Sequence, residues 1–194
     1  EPSTTTASFV SGVSLSSMTL GAIPSSLTLG KPGNTADITV DSNTSVAGPI
    51  SVYGGNIAVN GNITETLAAA SSLTLKASGN VTIGSSKTIS STNNKLDVIL
   101  WSDSDANGTG YISLGSSSSI LSNGGNIIMG GGASSAGLPG GKAQGGATNS
   151  GVYINGNQLD ARRTGFASGD ITIAGESASQ NGIYLGDTPT YSNN

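Results

Sequence analysis

Apolar and polar positions alternate along this chain in short triplets, in which two apolar residues flank a central residue that is usually Thr, Ser or Ala. Because side chains of a β-strand alternate between its two faces, each triplet predicts a short strand with one buried face and one small, polar face. Helix-period patterns are almost absent. The triplets begin at Met18, Leu27, Ile38, Ile50, Ile57, Leu73, Val81, Leu96, Ile112, Ile127, Val152, Ile171 and Ile183.

A recurring phrase precedes several of these triplets: Gly, then Asn or Asp, then a β-branched residue, with a second apolar residue two positions further on. It occurs at 55–59, 79–83, 125–129 and 169–173, with a truncated copy at 61–63. The phrase predicts a turn followed by a very short strand, and such repeated units stack into solenoids. Glycine also follows many triplets, as at Gly84 and Gly115, where we expect it to adopt the left-handed backbone of a sharp corner.

Strand spacing predicts the cross-section of the solenoid. From Ile57 to Ile89 the strands fall about six to ten residues apart, so that three strands make one turn of roughly twenty residues. This geometry is that of a three-sided parallel β-helix, an all-β fold. We expect it to extend over residues 51–194.

Two stretches interrupt the rhythm. Residues 1–50 have uneven spacings and four prolines, which predicts an N-terminal cap made of irregular coils or of a small, β-sandwich-like unit. Residues 130–151 are rich in Gly, Ala and Ser, which predicts a loop at one corner of the solenoid, either a plain excursion or a binding loop.

Composition excludes several classes of function. The 194 residues include neither Cys nor His, so a disulfide framework, a Ser-His-Asp triad, a Cys-His pair and a His-based zinc site are impossible within this chain. The net charge is −4 and only 9% of residues are charged, without a basic stripe, which argues against nucleic acid as a partner. No apolar run approaches membrane-spanning length, so we expect no membrane insertion.

The segment 96–114, followed by 122–127, combines strand triplets with a Trp-Ser-Asp-Ser-Asp-Ala-Asn-Gly loop and an Asn-Gly-Gly-Asn-Ile turn. Together with the other Gly-Asn-Ile phrases, it resembles bacterial exoproteins of the filamentous-haemagglutinin, two-partner secretion type. The resemblance covers roughly residues 50 to 186. It implies a right-handed parallel β-helix, a secreted or bacterial cell-surface location, and a role in adhesion or in surface fibres.

The loop after Trp101 is a candidate calcium site. Asp103, Asp105 and Asn107, followed by Gly108, alternate side-chain oxygens in the manner of the first half of a Ca²⁺-binding loop. The twelfth position of an EF-hand loop requires an acid and is Leu114 here. The alternative is that these residues form side-chain-to-backbone turns at a solenoid corner.

Trp101 and Tyr111 flank this loop and are candidate ligand-binding residues, because aromatic rings beside polar loops can stack on sugar faces. For Trp101 the alternative is packing against the core as an extension of the buried face of Leu96, Val98 and Leu100.

Asp160 and Arg162 could belong to a polysaccharide-active site if they converged with Asp103 and Asp105 in one groove. The alternative is a local surface ion pair.

The sequence therefore predicts a non-catalytic structural or adhesive segment of a surface exoprotein or fibre, with a host-surface or matrix glycan or protein, or copies of itself, as partner. A polysaccharide-active or sugar-binding β-helix and a self-polymerising filament subunit are the alternatives. The residues indicate no cofactor other than calcium.

Overall fold

A computed structural model describes residue 9 and residues 11–18, 22–186 and 190–192 of the chain. Within these ranges the chain forms short β-strands and a single 3₁₀ turn, Leu15–Ser17. The strands are, in chain order, β1 (Val13–Ser14), β2 (Leu27–Leu29), β3 (Ile38–Val40), β4 (Thr44–Val46), β5 (Ile50–Gly54), β6 (Ile57–Val59), β7 (Ile63–Glu65), β8 (Ser71–Ala77), β9 (Val81–Ile83), β10 (Thr88–Ser91), β11 (Leu96–Ser102), β12 (Ile112–Leu114), β13 (Ser119–Leu121), β14 (Ile127–Gly131), β15 (Ala143–Gln144), β16 (Val152–Asn155), β17 (Gln158–Asp160), β18 (Ile171–Ile173), β19 (Gly175–Glu176), β20 (Ile183–Gly186) and β21 (Thr190–Ser192).

Three parallel sheets form the faces of the molecule, and the chain visits them in turn. Face I has the strand order β1-β3-β6-β9-β12-β16-β20, face II the order β4-β7-β10-β13-β17-β21, and face III the order β2-β5-β8-β11-β14-β18. Every strand pairing on the three faces is parallel; on face I, for example, Ile38 pairs with Ile57 and Ile57 with Val81. The predicted parallel β-helix is confirmed. A small fourth sheet pairs β15 with β19.

The core is a set of apolar columns that run along the inside of the solenoid. Strand residues alternate between a buried position and a partly exposed one, as in Ile57, Ala58 and Val59 of β6. The register places like positions above each other, so that Leu73, Val98 and Ile127 form one column, each with 0% exposure. Since a single coil has too little apolar surface to fold alone, each coil is stabilised by its neighbours.

The predicted triplets match the strands. Each triplet from the one that begins at Leu27 to the one that begins at Ile183 lies within a strand of one of the three faces. The triplet that begins at Met18 extends into residues 19–20, outside the described ranges.

For residues 1–50 the sequence predicts a cap of irregular coils or a small, β-sandwich-like unit, and the strands of their described part join the sheets of the solenoid. β1 pairs with β3, and β2 with β5, in the same parallel register as the later coils. The strands here are therefore not those of an antiparallel β-sandwich.

The Asn or Asp of the recurring phrase forms hydrogen-bond ladders between coils. On the approach to face I, the Asp37 carboxylate Oδ1 accepts from the backbone N–H and the side-chain amide of Asn56, at 2.7 and 3.0 Å. Asn56 Oδ1 accepts from the same two groups of Asn80, and Asn80 Oδ1 accepts from the Tyr111 N–H at 3.0 Å. The side chains of Asn56 and Asn80 each both donate and accept, which an amide does and a carboxylate does not.

The other two corners contain shorter ladders of the same kind. Before face III, Asp97 Oδ1 accepts from the Asn126 N–H at 2.8 Å, and Asn126 Oδ1 accepts from the Asp170 N–H at 2.9 Å. Before face II, Asn62 donates its N–H to Asn43 Oδ1 and accepts from Thr88. The phrase therefore marks the entry to a strand at any of the three corners.

Most of the corner glycines are required for close approach rather than for a left-handed backbone. Gly84 and Gly115 have no positive φ, which corrects our expectation for them, whereas Gly30 and Gly156 have φ of 73° and 65°. A Cβ on Gly115 would lie 2.8 Å from the backbone carbon of Gly84. The side chain is absent because the neighbouring coil occupies its place.

Candidate functional site

The three corners differ in length. The corner from face I to face II, here the I–II corner, is short wherever the structure describes it: its segments are 41–43, 60–62, 84–87, 115–118 and 156–157. The corner from face III to face I, here the III–I corner, varies widely in length. It comprises 30–37, 55–56 and 78–80, then the acidic loop 103–111, the segment 132–151 that contains β15, and the segment 174–182 that contains β19. The long segments stack on one another and rise beside face I.

The predicted Gly-rich loop folds over the outer side of face III. Gly131 and Gly141 exchange backbone hydrogen bonds at 3.1 and 2.7 Å, which closes a hairpin-like excursion. The chain then returns to the core at Ala143, which has 0% exposure, and enters β15.

Trp101 lies beneath this loop and not in the central columns. Leu100 points inward, so its neighbour Trp101 points outward, where its ring is 1% exposed. The indole Nε1–H donates to the Gly132 carbonyl at 2.8 Å, and Lys76 Nζ lies 3.6 Å from the ring centroid. Burial lowers the pKa of Lys76. The ring faces of Trp101 are therefore covered by protein and are not open to a ligand.

The acidic loop forms side-chain-to-backbone turns. Asp103 is 3% exposed, and its Oδ1 accepts from the Gly108 N–H at 3.1 Å. Asn107 Oδ1 accepts from the Thr109 N–H at 2.9 Å, and its amide donates to Asp105 Oδ2. Burial raises the pKa of the Asp103 carboxyl, and hydrogen bonds from the loop backbone oppose this effect.

The predicted calcium ligands are thus close in sequence but already engaged with their own loop. Among the residues that the structure describes, no three or more Asp or Glu side chains group together as a metal site would require. The geometry corresponds to the turn-forming alternative.

Asp160 and Arg162 form a local ion pair on the corner that follows face II. Arg162 donates to both carboxylate oxygens of Asp160, at 3.1 and 2.8 Å, and this contact holds the pKa of Asp160 below its usual value. Asp103 and Asp105 follow face III instead, so the four residues do not meet in one groove. Asp160 and Asp105 line two separate surface depressions.

A groove of about 480 Å³ lies on face I beside the III–I corner. We call it the tyrosine groove, because its floor contains Tyr111, Tyr153 and Tyr184, together with Ser113. Tyr153 and Tyr184 are register partners on β16 and β20, and their rings stack with centroids 4.8 Å apart and an angle of 4° between planes.

Loops of the III–I corner form the wall of the tyrosine groove. The wall residues are Thr148, Asn149, Ser150, Gln180 and Asn181. The two loops that contain them meet at Ser177, whose hydroxyl lies 2.8 Å from the carbonyl oxygens of both Gly146 and Asn149 and donates its single proton to one of them at a time. The two wall loops, which belong to successive coils, are thus joined by hydrogen bonds.

Sequence reasoning selected Tyr111 but not the residues that surround it. Tyr153 and Tyr184 occupy the central position of their triplets, where most triplets have Thr, Ser or Ala. Two tyrosines at that position, in consecutive triplets on face I, are the feature of the sequence that indicates the groove.

Comparison of this chain with known proteins identifies no relative. No protein-family model, no curated protein and no solved structure matches this chain. Over the described ranges, the structure contains no helix with the length and apolar character needed to cross a membrane.

Proposed function

We propose that this chain is a non-catalytic structural and adhesive segment of a secreted or bacterial cell-surface exoprotein. The observation that supports this function best is the continuity of the three sheets. Face I contains seven strands in one parallel sheet, and its inner columns are unbroken from Ile38 to Ile154.

A solenoid of this kind is a rigid spacer. Strands of one sheet are about 4.8 Å apart, so the seven strands of face I rise by about 30 Å. Since each coil is stabilised by contacts with its neighbours, length can grow without a larger globular core. Such a rod holds a binding surface away from the cell that displays it.

The adhesive role is tested with beads coated with the purified chain. We expect them to attach to epithelial cells or to immobilised extracellular matrix more than beads coated with albumin. A Val98→Asp chain, in which a charge enters a core column, is the misfolded control and loses attachment. Absence of attachment to every surface would contradict the proposal, as would release of sugar from a polysaccharide that an Asp105→Ala or Asp160→Ala variant abolishes.

The last strand of face I favours a second function, end-to-end assembly into a filament. Ile183 and Leu185 of β20 are 39% and 52% exposed, although they continue the columns of Val152 and Ile154, which have 0% exposure. A second copy of the chain has coils of the same cross-section and could cover these side chains while pairing with the strand edge.

Sedimentation velocity tests the filament. We expect the chain to associate with rising concentration and an Ile183→Lys/Leu185→Lys variant to stay monomeric. Thr172→Lys, which adds a charge at an exposed outward position of β18, is the matched control and leaves association unchanged. A chain that is monomeric at all concentrations excludes the filament but not the adhesive rod.

A further inference from the structure

The outer row of face I changes character along the solenoid. Successive register partners are Thr39, Ala58, Thr82, Ser113, Tyr153 and Tyr184. The first four side chains are short and leave a nearly flat surface, and the last two place aromatic rings on it. We infer that the tyrosine groove at this transition binds an uncharged oligosaccharide; the inference rests on the proposed adhesive function and names its ligand class.

The floor of the groove offers an aromatic platform. Tyr184 stacks on one side of Tyr153, and the coil on the other side of Tyr153 has Ser113 at the partner position. Because a serine side chain is too short to cover a phenol ring, the surface drops from the Tyr153 ring to Ser113, and we call this drop the step above Ser113. Tyr111 lies two residues before Ser113 on the same outer side, so aromatic groups border this step from two directions. The apolar C–H face of a sugar ring packs on such a surface.

The wall of the groove offers hydrogen bonds that suit hydroxyl groups. Asn149, Gln180 and Asn181 are exposed and present side-chain amides, each of which both donates and accepts. Within the described part of the chain, the side-chain amides of Gln180 and Asn181 make no hydrogen bond to the protein, although the Gln180 backbone N–H donates to the Ser177 hydroxyl. A sugar hydroxyl also donates and accepts, so these amides match a polyhydroxylated ligand.

Charge selects an uncharged ligand. The described residues that line the groove are tyrosines, amides and hydroxyl residues, without Lys, Arg, Asp or Glu. The chain as a whole has a net charge of −4, which repels anionic glycans at long range. A uronate or sialylated glycan would therefore find no cation in the groove.

The volume of the groove is appropriate for a short oligosaccharide. About 480 Å³ falls within the range of roughly 300–1,000 Å³ that is typical of ligand sites. The stacked rings and the hydrogen-bonded wall are largely preformed, which reduces the entropy that binding costs.

The test is an array of neutral and acidic oligosaccharides probed with the purified chain, followed by calorimetric titration of the strongest neutral ligand. We expect binding to neutral members only. Tyr153→Ala should weaken affinity at least tenfold, and Tyr153→Phe, which keeps the ring, should restore most of it. Tyr53→Ala, a half-buried outward tyrosine on face III, is the matched control and should leave affinity unchanged.

A second variant keeps the test decisive if Tyr153→Ala does not fold. Gln180→Ala/Asn181→Ala removes two exposed amides and should lower affinity while the melting temperature stays unchanged. Failure of all neutral oligosaccharides to bind, binding confined to acidic glycans or to proline-rich peptides, or affinity that survives both variants would overturn the inference. Bead attachment that persists under those results would leave the adhesive role intact and place it on another surface.

Discussion

The I–II corner and the III–I corner of this solenoid solve the same problem in different ways. Each turns the chain from one strand to the next, and each must leave the strands in register with the coil below. The I–II corner does this with short segments, such as 60–62 and 115–118. The III–I corner ranges from 55–56 to the long excursion 132–151, and the strands that follow still align.

The difference teaches which features are required for stacking and which are free to vary. In the early coils both corners end in an Asn or Asp rung, as at Asn62 and Asn80. The long III–I segments end instead in Tyr111, Gly151 and Gly182, whose backbone carbonyls accept from the first strand residue of the neighbouring coil. The corner can therefore lengthen while these backbone hydrogen bonds keep the strands in register. The III–I corner uses this freedom to cover Trp101 and to build the wall of the tyrosine groove.

The largest effect is expected when the short corner is crowded. In Gly115→Ala, the new Cβ would lie 2.8 Å from the Gly84 carbonyl carbon and 2.9 Å from Ser85 Cα, both backbone atoms of the coil below. Since backbone yields less than a side chain, we expect the free energy of unfolding to fall by about 1–3 kcal/mol. Chemical denaturation followed by circular dichroism measures this change.

Gly141→Ala is the matched control on the variable corner. Its nearest neighbour would be the Gly131 carbonyl oxygen at 3.7 Å, and its φ is not positive. The midpoint of unfolding should stay constant or rise slightly, because alanine restricts the unfolded chain. Equal losses in the two variants would refute the distinction between the corners.

A smaller loss is expected when a ladder rung is removed. Asn80→Ala deletes the amide that donates to Asn56 Oδ1 and the oxygen that accepts from the Tyr111 N–H. Because the site is partly exposed and water can replace these partners, we expect a loss of about 1 kcal/mol. A drop of roughly 2–4 °C in melting temperature corresponds to this value for a chain of this size.

Asn60→Ala provides the comparison from the short corner. The Asn60 side chain is exposed and makes no hydrogen bond within the described residues. We therefore expect its replacement to lower the free energy of unfolding by less than about 0.3 kcal/mol and the melting temperature by less than about 1 °C. If both variants melt like the parent chain, the ladder does not contribute to stability.

The sequence predicts faces I and III well and face II poorly. Faces I and III have two apolar inward positions in nearly every strand, as in Ile57 and Val59, and the triplets show them directly. Strands of face II pair one apolar residue with a polar one: β7 has Ile63 and Glu65, both buried. Glu65 accepts from the Leu67 N–H at 2.6 Å and from the Ser91 hydroxyl at 2.9 Å, so a charged residue occupies a core column without an apolar signal.

The tyrosine groove could not be assembled from the sequence because it depends on coil lengths. Tyr111, Tyr153 and Tyr184 lie in three successive coils of unequal length. The offset between ladder partners increases from 19 residues at Asp37–Asn56 to 31 at Asn80–Tyr111, so a fixed period fails to align the rings. The covered position of Trp101 could not be predicted for a related reason, because the loop that covers it comes from the next coil.

The smallest effect concerns acid sensitivity at the short corner. Asp41 follows β3 and accepts from the Ser14 hydroxyl and from the Ser16 hydroxyl and N–H of the preceding coil, and these hydrogen bonds lower its pKa from 3.8 to about 2. A folded-state pKa below the unfolded value means that the ionised carboxylate stabilises the coil fully above about pH 4. That stabilisation is lost as the pH falls from about 4 through about 2.

Asp103 on the variable corner has the opposite sign, because burial raises its pKa and protonation relieves a buried charge. Hydrogen exchange of the Ser16 amide, compared with that of Gly108, should therefore accelerate first at Ser16 as the pH is lowered below 4, after correction for intrinsic rates. Asp41→Asn should remove this pH dependence, and an unchanged profile in that variant would show that Asp41 does not anchor the first coil.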